Sequence, residues 1–431
     1  MAIRLLKFSF YGLKNIEKPI TLDFFNEYPS KKALENESHI KTLYGPNGSG
    51  KTGVCLALYY YKMLNTNNRF LATDEAKAFQ ATINKKTKKF HVEVTYYISL
   101  EDVKKPIKML HILDVSNSGG QLVLKTDELY SLGRRNEKTP FYLYSKEKGF
   151  YLKPDHEFCN QEISDLLSSV PMKCFARKKA RSINADDIKG ITFFSPIAFS
   201  TCLLIEFCER KDSPFHFINM ATRSFGMIKS RSSITYDFND AIGFDEIYNK
   251  QDKEQYEKRI TRLYYFIKKM KPDLVCIKHK DYKISPELIG VNLLFVYNEY
   301  QVGFKLESSG VKKIVRLFDV FDAANEDTVA VLDEIDADIH DVFLSNLIDY
   351  YARYTSSQIF LTTHNVDLMN NIKSIKHSID FLSQDNYLTS WIKCGTSSPK
   401  TKYLNGMVSH IPFNLFSSDF IEVFNKEEKY D

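Results

Sequence analysis

The sequence lacks the features that mark secreted and membrane-spanning proteins. Its seven cysteines are scattered without a Cys-x-x-Cys pair, so neither a zinc site nor a disulfide framework is predicted. Residues 1–7 have no long apolar core and no small-residue cleavage site, which argues against an export signal. The longest weakly charged run, residues 191–206, is shorter than a membrane span and contains Pro196. These absences predict a protein of the reducing cytoplasm with no membrane partner.

The sequence also lacks a strong charge of either sign and any internal repeat. Lysine and arginine number 59 against 54 acidic residues, and a net charge of +5 does not by itself call for nucleic acid. The hydrophobic share of 43% is ample for a buried core. A length of 431 residues predicts two folded lobes, or one lobe with a large insertion.

The clearest motif is a glycine-rich segment near the N-terminus. It reads Gly45-Pro46-Asn47-Gly48-Ser49-Gly50-Lys51-Thr52. Residues 40–44 predict a strand before it, and Val54, Leu58 and Tyr61 have the spacing of a buried helix face after it. A loop between such a strand and helix wraps a polyphosphate with backbone N–H groups and points the helix dipole at it. Lys51 is predicted to bind the β- and γ-phosphates, and the Thr52 hydroxyl to bind Mg²⁺.

A second motif lies far along the chain, where residues 328–332 form an apolar run of β-prone residues that ends in Asp333 and Glu334. Continuous apolar character predicts a central parallel strand covered on both faces. Its acids then emerge at the carboxyl end, where open α/β sheets bind their ligands. Asp333 is predicted to coordinate Mg²⁺, and Glu334 to act as the general base for the lytic water. An apolar strand ending in two acids is common alone, but it is far more specific in a chain with a phosphate loop.

Two further segments complete this set. Ser308, Ser309 and Gly310 begin an apolar-periodic helix and present hydroxyls and free N–H groups, which is a second anion seat or an ordinary helix cap. The apolar strand 359–363 ends at His364, which either hydrogen-bonds the γ-phosphate and its water or has a structural role.

The rest of the chain divides into three parts. Residues 1–152 carry the phosphate loop and antiparallel strands, with hairpins over 107–126 and 141–152. Residues 153–272 read as mainly helical, most clearly over 245–271, where Ile260, Leu263 and Ile267 share one face. Residues 273–431 return to strands and carry the acids and the histidine strand.

The order of these motifs resembles that of ABC-type ATPase heads, and residues 333–340 resemble the SMC, RecF and OLD branch. The opening strands and residues 307–313 further resemble the stand-alone ATPase components of bacterial abortive-infection and phage-defence systems, such as the AbiL first component and the PARIS protein AriA. The resemblance implies an α/β fold: a P-loop ATPase head with a mixed central sheet and an antiparallel β layer, interrupted by a mainly helical insertion.

The resemblance also implies a site shared between subunits. Ser308 and Gly310 would contact ATP bound on the opposite subunit of a dimer or larger ring, and Asp336 would begin the loop that faces it. Hydrolysis of ATP with Mg²⁺ would then be slow and dependent on the oligomer. The sequence departs from the signature of transporters at Glu307, Ser309 and Val311. Gln80 is a candidate for the glutamine loop by its position alone.

Two functions fit this resemblance. The first is the ATPase sensor or scaffold of a two-component antiphage system, whose partner is a toxic effector encoded by an adjacent gene, a TOPRIM-like nuclease or an RloB-like protein. The second is a DNA-repair ATPase of the RecF or SMC type. Its nucleic-acid contact would be a basic cluster at Lys173, Arg177, Lys178, Lys179 and Arg181, which otherwise forms a solvated helix face. A small-molecule kinase shares the phosphate loop but lacks the other motifs.

Overall fold

The computed structural model describes residues 2–25, 39–67, 70–99, 107–133, 135–152, 195–207, 235–236, 244–324, 328–391 and 398–411. The strands are β1 (Ala2–Tyr11), β2 (Ile20–Asp23), β3 (His39–Tyr44), β4 (Lys89–Ser99), β5 (Ile107–Ser118), β6 (Gln121–Leu132), β7 (Lys138–Ser145), β8 (Gly149–Leu152), β9 (Leu203–Phe207), β10 (Thr235–Tyr236), β11 (Glu246–Asn249), β12 (Leu274–Lys283), β13 (Leu288–Tyr297), β14 (Gln301–Gly303), β15 (Val329–Asp333), β16 (Gln358–Thr362), β17 (Ile379–Leu382) and β18 (Leu388–Ser390). The helices are α1 (Lys51–Thr66), α2 (Asp74–Thr82), α3 (Ser195–Cys202), α4 (Lys253–Lys268), α5 (Ser309–Ala324), α6 (Asp341–Tyr354), α7 (Leu368–Ile372) and α8 (Pro399–Leu404).

The central sheet has the strand order β18-β17-β3-β16-β15-β9, and all its strands are parallel except β18. It is buried on both faces. In β15, Val329 and Val331 join one hydrophobic cluster, while Ala330 and Leu332 join the other. This two-sided burial is the reason that the strand has no polar residue before Asp333, as predicted.

An antiparallel sheet of seven strands, in the order β2-β1-β4-β5-β6-β7-β8, forms a second layer. The predicted hairpins are confirmed: β5 and β6 turn at Gly119 and Gly120, whose φ angles of 59° and 78° are left-handed, and β7 pairs with β8. The apolar face of this layer packs on helix α1, and the two contribute side chains to one hydrophobic cluster.

A buried polar network also joins helix α1 to the antiparallel sheet. The Tyr61 hydroxyl lies 2.9 Å from Nδ1 of His111, whose Nε2 lies 2.8 Å from Oδ1 of Asp127. The Tyr142 hydroxyl donates to the same carboxylate at 3.0 Å. All four side chains are buried, where hydrogen bonds between polar groups replace those to water.

The third sheet corrects one prediction. Its order is β10-β11-β13-β12, with β14 paired to β13. The helix predicted over 245–271 begins only at Lys253, because residues 246–249 form β11 and pair with β13. Glu246 and Tyr248 are buried there and their neighbours are less so, which is a two-residue period. Ile260, Leu263 and Ile267 lie on the buried face of α4, as predicted.

The segment predicted as a mainly helical insertion, residues 153–272, contributes a strand to the central sheet. Within it, residues 195–207 form helix α3 and strand β9, and β9 lies parallel to β15. Residues 153–194, 208–234 and 237–243 lie outside the described residues, and with them the basic cluster at 173–181. No helix in the described part of the chain is long and apolar enough to cross a membrane.

One buried arginine ties α4 to its neighbours. The guanidinium of Arg259 donates to both carboxylate oxygens of Asp319 on α5, at 2.6 and 2.8 Å, and lies 3.1 Å from Glu246 of β11. Its side chain is 2% exposed and that of Glu246 is fully buried. One turn further along α4, Arg262 makes a similar contact with Asp322, but it is 44% exposed.

We expect Arg259→Leu to lower the free energy of unfolding by about 3–5 kcal/mol, because it leaves the Glu246 carboxylate buried without its cation. Arg262→Leu is the matched control and should cost less than about 1 kcal/mol, as exposed ion pairs do. Urea denaturation of both variants measures the difference. Equal losses would contradict the role given to Arg259.

Candidate functional site

The glycine-rich loop lies between β3 and α1, at the carboxyl end of the central sheet. Gly48 and Gly50 have left-handed φ angles of 76° and 108°, and Gly50 caps the helix that begins at Lys51. At Gly45 a Cβ atom would lie 2.3 Å from the carbonyl oxygen of Leu382, so the loop passes directly against β17. Within the described residues, the buried Ser49 hydroxyl has no hydrogen-bond partner. The loop has the backbone geometry of an anion cradle, with a hydroxyl inside it.

The Lys51 side chain folds back over this loop. Its Nζ donates to the carbonyl oxygens of Gly45 at 2.8 Å and Pro46 at 3.2 Å. Burial lowers the pKa of this ammonium, and the nearby carboxylates of Glu334, Asp333 and Asp336 oppose that shift. The loop lysine and the acids after β15 are therefore close enough to interact, although they lie far apart in the sequence.

Asp333 ends β15 with its carboxylate buried beside helix α1. The Thr362 hydroxyl donates to Oδ1 at 2.7 Å, and the side chains of Thr52 and Cys55 also hydrogen-bond to it. Burial raises the pKa of Asp333, and these hydrogen bonds oppose the rise. Hydroxyl and carboxylate oxygens are ligands that Mg²⁺ prefers, so the Thr52 and Asp333 pair fits this ion.

That pair would supply only part of a coordination shell. The described residues include no group of three or more His, Cys, Asp or Glu side chains that could hold a metal alone. Mg²⁺ commonly keeps several waters and takes phosphate oxygens as ligands, so a site with two protein ligands suits it.

Glu334 begins a tight turn, residues 334–339, which we call the carboxylate turn. Its φ angle of 48° is left-handed, an uncommon conformation for a residue with a side chain. Its N–H donates to the Thr362 hydroxyl at 2.9 Å. Thr362 therefore holds both candidate acids, since it donates to Asp333 and accepts from Glu334.

His364 follows β16 at the edge of the same site. Its backbone N–H donates to the two carboxylate oxygens of Asp336, at 3.1 and 3.3 Å. Partial burial and the charge of Lys51 lower the pKa of the imidazole, against the opposing charges of Asp336 and Asp333. The lowered pKa favours the neutral imidazole of His364, which lies close to the lysine and the acids.

The segment Ser308-Ser309-Gly310, which we call the Ser-Ser-Gly turn, is separate from the residues described so far in this site. Ser308 accepts from the N–H of Val311 at 3.3 Å, and Gly310 lies against the carboxylate turn, where a Cβ atom would come 2.8 Å from the carbonyl oxygen of Asp338. No contact described for this chain joins Ser308, Ser309 or Gly310 to the phosphate loop. The structure thus brings Lys51, Thr52, Asp333, Glu334 and His364 together and leaves the turn apart from them.

The comparisons with known proteins give distant likenesses to solved structures. The sequence matches no protein-family profile and no curated protein. The chain is similar to an SMC head. The solved structure is a crystal structure of the SmcHead bound to the C-winged helix domain of ScpA, with 14% identity and a TM-score of 0.45, over 90% of this chain and 97% of that one.

Two residues that sequence reasoning missed also contact the loop. Asn15, in the turn between β1 and β2, donates to the carbonyl oxygen of Gly48 at 2.8 Å. Gln384, between β17 and β18, donates to that of Asn47 at 3.3 Å. Neither stands in a motif that could have indicated this contact. Gln80, the candidate for the glutamine loop, instead donates to Asn117 and Gly120 in the β5–β6 hairpin.

Glu206 is a further buried acid, located on β9 beside Leu332 of β15. Burial raises its pKa to about 7, and the charges of Arg316 and Lys313 on α5 oppose the rise. Its protonated form is therefore favoured in the folded state over the unfolded one.

Because the folded pKa is raised, the stability linked to Glu206 is fully present below its unfolded value of 4.5 and is lost as the pH rises through 7. We expect Glu206→Gln to remove this decline in the free energy of unfolding, which amounts to about 3 kcal/mol between the unfolded and the folded pKa. Urea denaturation at pH 5 and pH 8 measures it, with Glu287→Gln on the surface as the control. An unchanged slope in Glu206→Gln would contradict the assignment.

Proposed function

We propose that this chain binds ATP with Mg²⁺ and hydrolyses it slowly, as the ATPase subunit of a larger assembly. The observation that carries the proposal is the convergence of Lys51 and Thr52 with Asp333, Glu334 and His364 at one edge of the central sheet. A phosphate loop alone indicates binding only. A buried carboxylate beside the loop threonine, followed by a second acid, supports hydrolysis.

Each residue of the site would have a role that follows from its chemistry. Lys51 would exchange the carbonyl oxygens of Gly45 and Pro46 for phosphate oxygens, and the N–H groups of residues 47–52 would bind the rest of the phosphate chain. The Thr52 hydroxyl and the Asp333 carboxylate would hold Mg²⁺, which when bound withdraws charge from the phosphates. Within the part of the chain that the structure describes, the buried Ser49 hydroxyl has no hydrogen-bond partner, which fits a polar ligand at the loop.

Glu334 would accept a proton from the attacking water. Its backbone is fixed by Thr362, so its side chain starts from a defined position at the end of β15. A neutral His364 would orient the water or hydrogen-bond the terminal phosphate. Both acids point to one reaction class, attack of water on a phosphoryl group.

The Ser-Ser-Gly turn would serve a second copy of the chain. Among the described residues, no hydrogen bond or ion pair joins Ser308 or Gly310 to the phosphate loop. Ser308 presents a hydroxyl at the start of α5, where the helix dipole favours an anion. ATP bound to one copy would thus be completed by the turn of the other, in a dimer or a larger ring. ATP binding would drive assembly, and hydrolysis would loosen it.

For the biological role, we propose an ATPase sensor or scaffold of a cytoplasmic two-component antiphage system. Support comes from the resemblance of the opening strands and of residues 307–313 to such ATPases. The segment 153–272 is also far too short for the long coiled coil of chromosome-associated relatives. The partner would be a toxic effector encoded next door, either a TOPRIM-like nuclease or an RloB-like protein. Copurification with that gene product, with and without ATP, tests this role.

The hydrolytic site predicts two contrasting variants. Lys51→Ala should abolish ATP binding, because the loop loses its cation. Glu334→Gln should bind ATP normally, lose turnover by about 100-fold or more, and trap the assembly. Fluorescent-nucleotide binding, phosphate release and light scattering measure the three properties. Lys85→Ala and Glu254→Gln on the surface are the controls, and undiminished turnover in Glu334→Gln would reject the assigned base.

The shared site predicts complementation between two inactive variants. Lys51→Ala removes nucleotide binding, and Ser308→Arg blocks the turn offered to the other copy. In an equimolar mixture, a mixed dimer keeps one intact site, so turnover should return to about a quarter of the wild-type value. A mixture as inactive as its components would show that Ser308 acts within its own chain, and an active Ser308→Arg variant would show that it has no role in turnover.

A further inference from the structure

Helix α5 makes an unusual contact with the carboxylate turn. The side chain of Lys313 is buried, and its Nζ donates to the carbonyl oxygen of Glu334 at 3.0 Å and to that of Ala337. A buried ammonium thus directs two hydrogen bonds at the backbone of the turn that carries the candidate base. Charged hydrogen bonds of this kind are stronger than neutral ones.

The carboxylate turn has little internal support. Two of its residues with side chains, Glu334 and Asp338, have left-handed φ angles of 48° and 59°. Its own backbone hydrogen bonds are long, at 3.2 Å from Ala337 to Glu334 and 3.3 Å from Ile339 to Asp336. Conformations of this kind persist when surrounding groups hold them. The position of Glu334 therefore depends on contacts from outside the turn.

Those contacts come from two sides. On one side, Thr362 and the N–H of His364 hold Glu334 and Asp336. On the other side, α5 touches both ends of the turn, through Lys313 at Glu334 and through Gly310 at Asp338. Gly310 also belongs to the Ser-Ser-Gly turn, so one rigid helix connects the surface offered to a second copy with the candidate base.

We propose that Lys313 is a positioning residue that couples the Ser308–Gly310 end of α5 to Glu334 of the same chain. Contact of that end with a nucleotide on the second copy then sets the base at the first copy's own site. The proposal rests on the proposed function and adds to it a physical connection between the two sites of an assembly. The connection runs through backbone carbonyls, so it acts on the position of Glu334 and not on the binding of ATP.

The neighbouring residue provides a matched control. Lys312 lies on the same helix, but its Nζ donates to the carbonyl oxygen of Lys305, outside the carboxylate turn. Lys313→Met and Lys312→Met remove the same charge and keep a similar side-chain length. Only Lys313→Met frees the turn.

We expect Lys313→Met to bind ATP within about threefold of the wild type, with an unchanged KM and a kcat lowered about 10- to 100-fold. Lys312→Met should leave both constants within about twofold, and Lys313→Arg should recover part of kcat. Wild-type kcat in Lys313→Met, or a loss of ATP binding that matches the loss of turnover, would overturn the proposal. If the wild type and Lys312→Met are also inactive, the proposed ATPase activity fails instead.

Mixed assemblies keep the test decisive if Lys313→Met alone folds poorly. Each mixed dimer pairs a chain with intact Lys51 and a Lys51→Ala chain, so one site works. Lys313→Met should lower turnover when placed on the chain with intact Lys51, whose Glu334 is used. A loss only when it is placed on the Lys51→Ala chain would mean that Lys313 supports the Ser-Ser-Gly turn alone, and would overturn the proposal.

Discussion

The candidate site depends on the parallel alignment of β3, β16 and β15. Their register pairs Leu43 with Thr362 and Leu332 with Leu361, so the three strands end at the same edge. Because parallel strands share the direction of their carboxyl ends, the loop after β3 and the acids after β15 must meet there. A one-residue slip of β15 would exchange its two buried faces, so hydrophobic packing maintains this alignment.

Buried ion pairs join other elements of the fold. Lys41 of β3 lies 2.7 Å from Asp380 of β17, and both side chains are almost completely buried. Lys41 belongs to β3, the strand that leads into the phosphate loop. Arg259 holds α4 against α5. Each charge is tolerated only with its partner in place, which makes these pairs sensitive to small displacements of their elements.

Much of the candidate site was predictable from sequence because its chemistry lies in consecutive residues. The phosphate loop, the pair Asp333 and Glu334, and the segment ending at His364 each carry a short pattern. The contacts of Asn15 and Lys313 were not predictable, because both side chains bind backbone carbonyls, which have no residue identity in the sequence. Among the elements, β9 lies in a short apolar run that fits a helix and a strand alike, so the sequence left both open. Strand β11 was missed because its four residues, two of them polar, are too few for a two-residue period to be distinguished from the helix that follows.

The network of Tyr61, His111, Asp127 and Tyr142 restricts how this protein can evolve. A replacement at any one of the four positions removes a hydrogen bond from a buried polar partner, so we expect the effects of substitutions there to be coupled. Helix α1 begins at the phosphate loop, and Tyr61 joins it to the antiparallel sheet through this network. Homologues that diverge elsewhere in the antiparallel sheet should therefore keep the four residues or exchange all of them for hydrophobic ones.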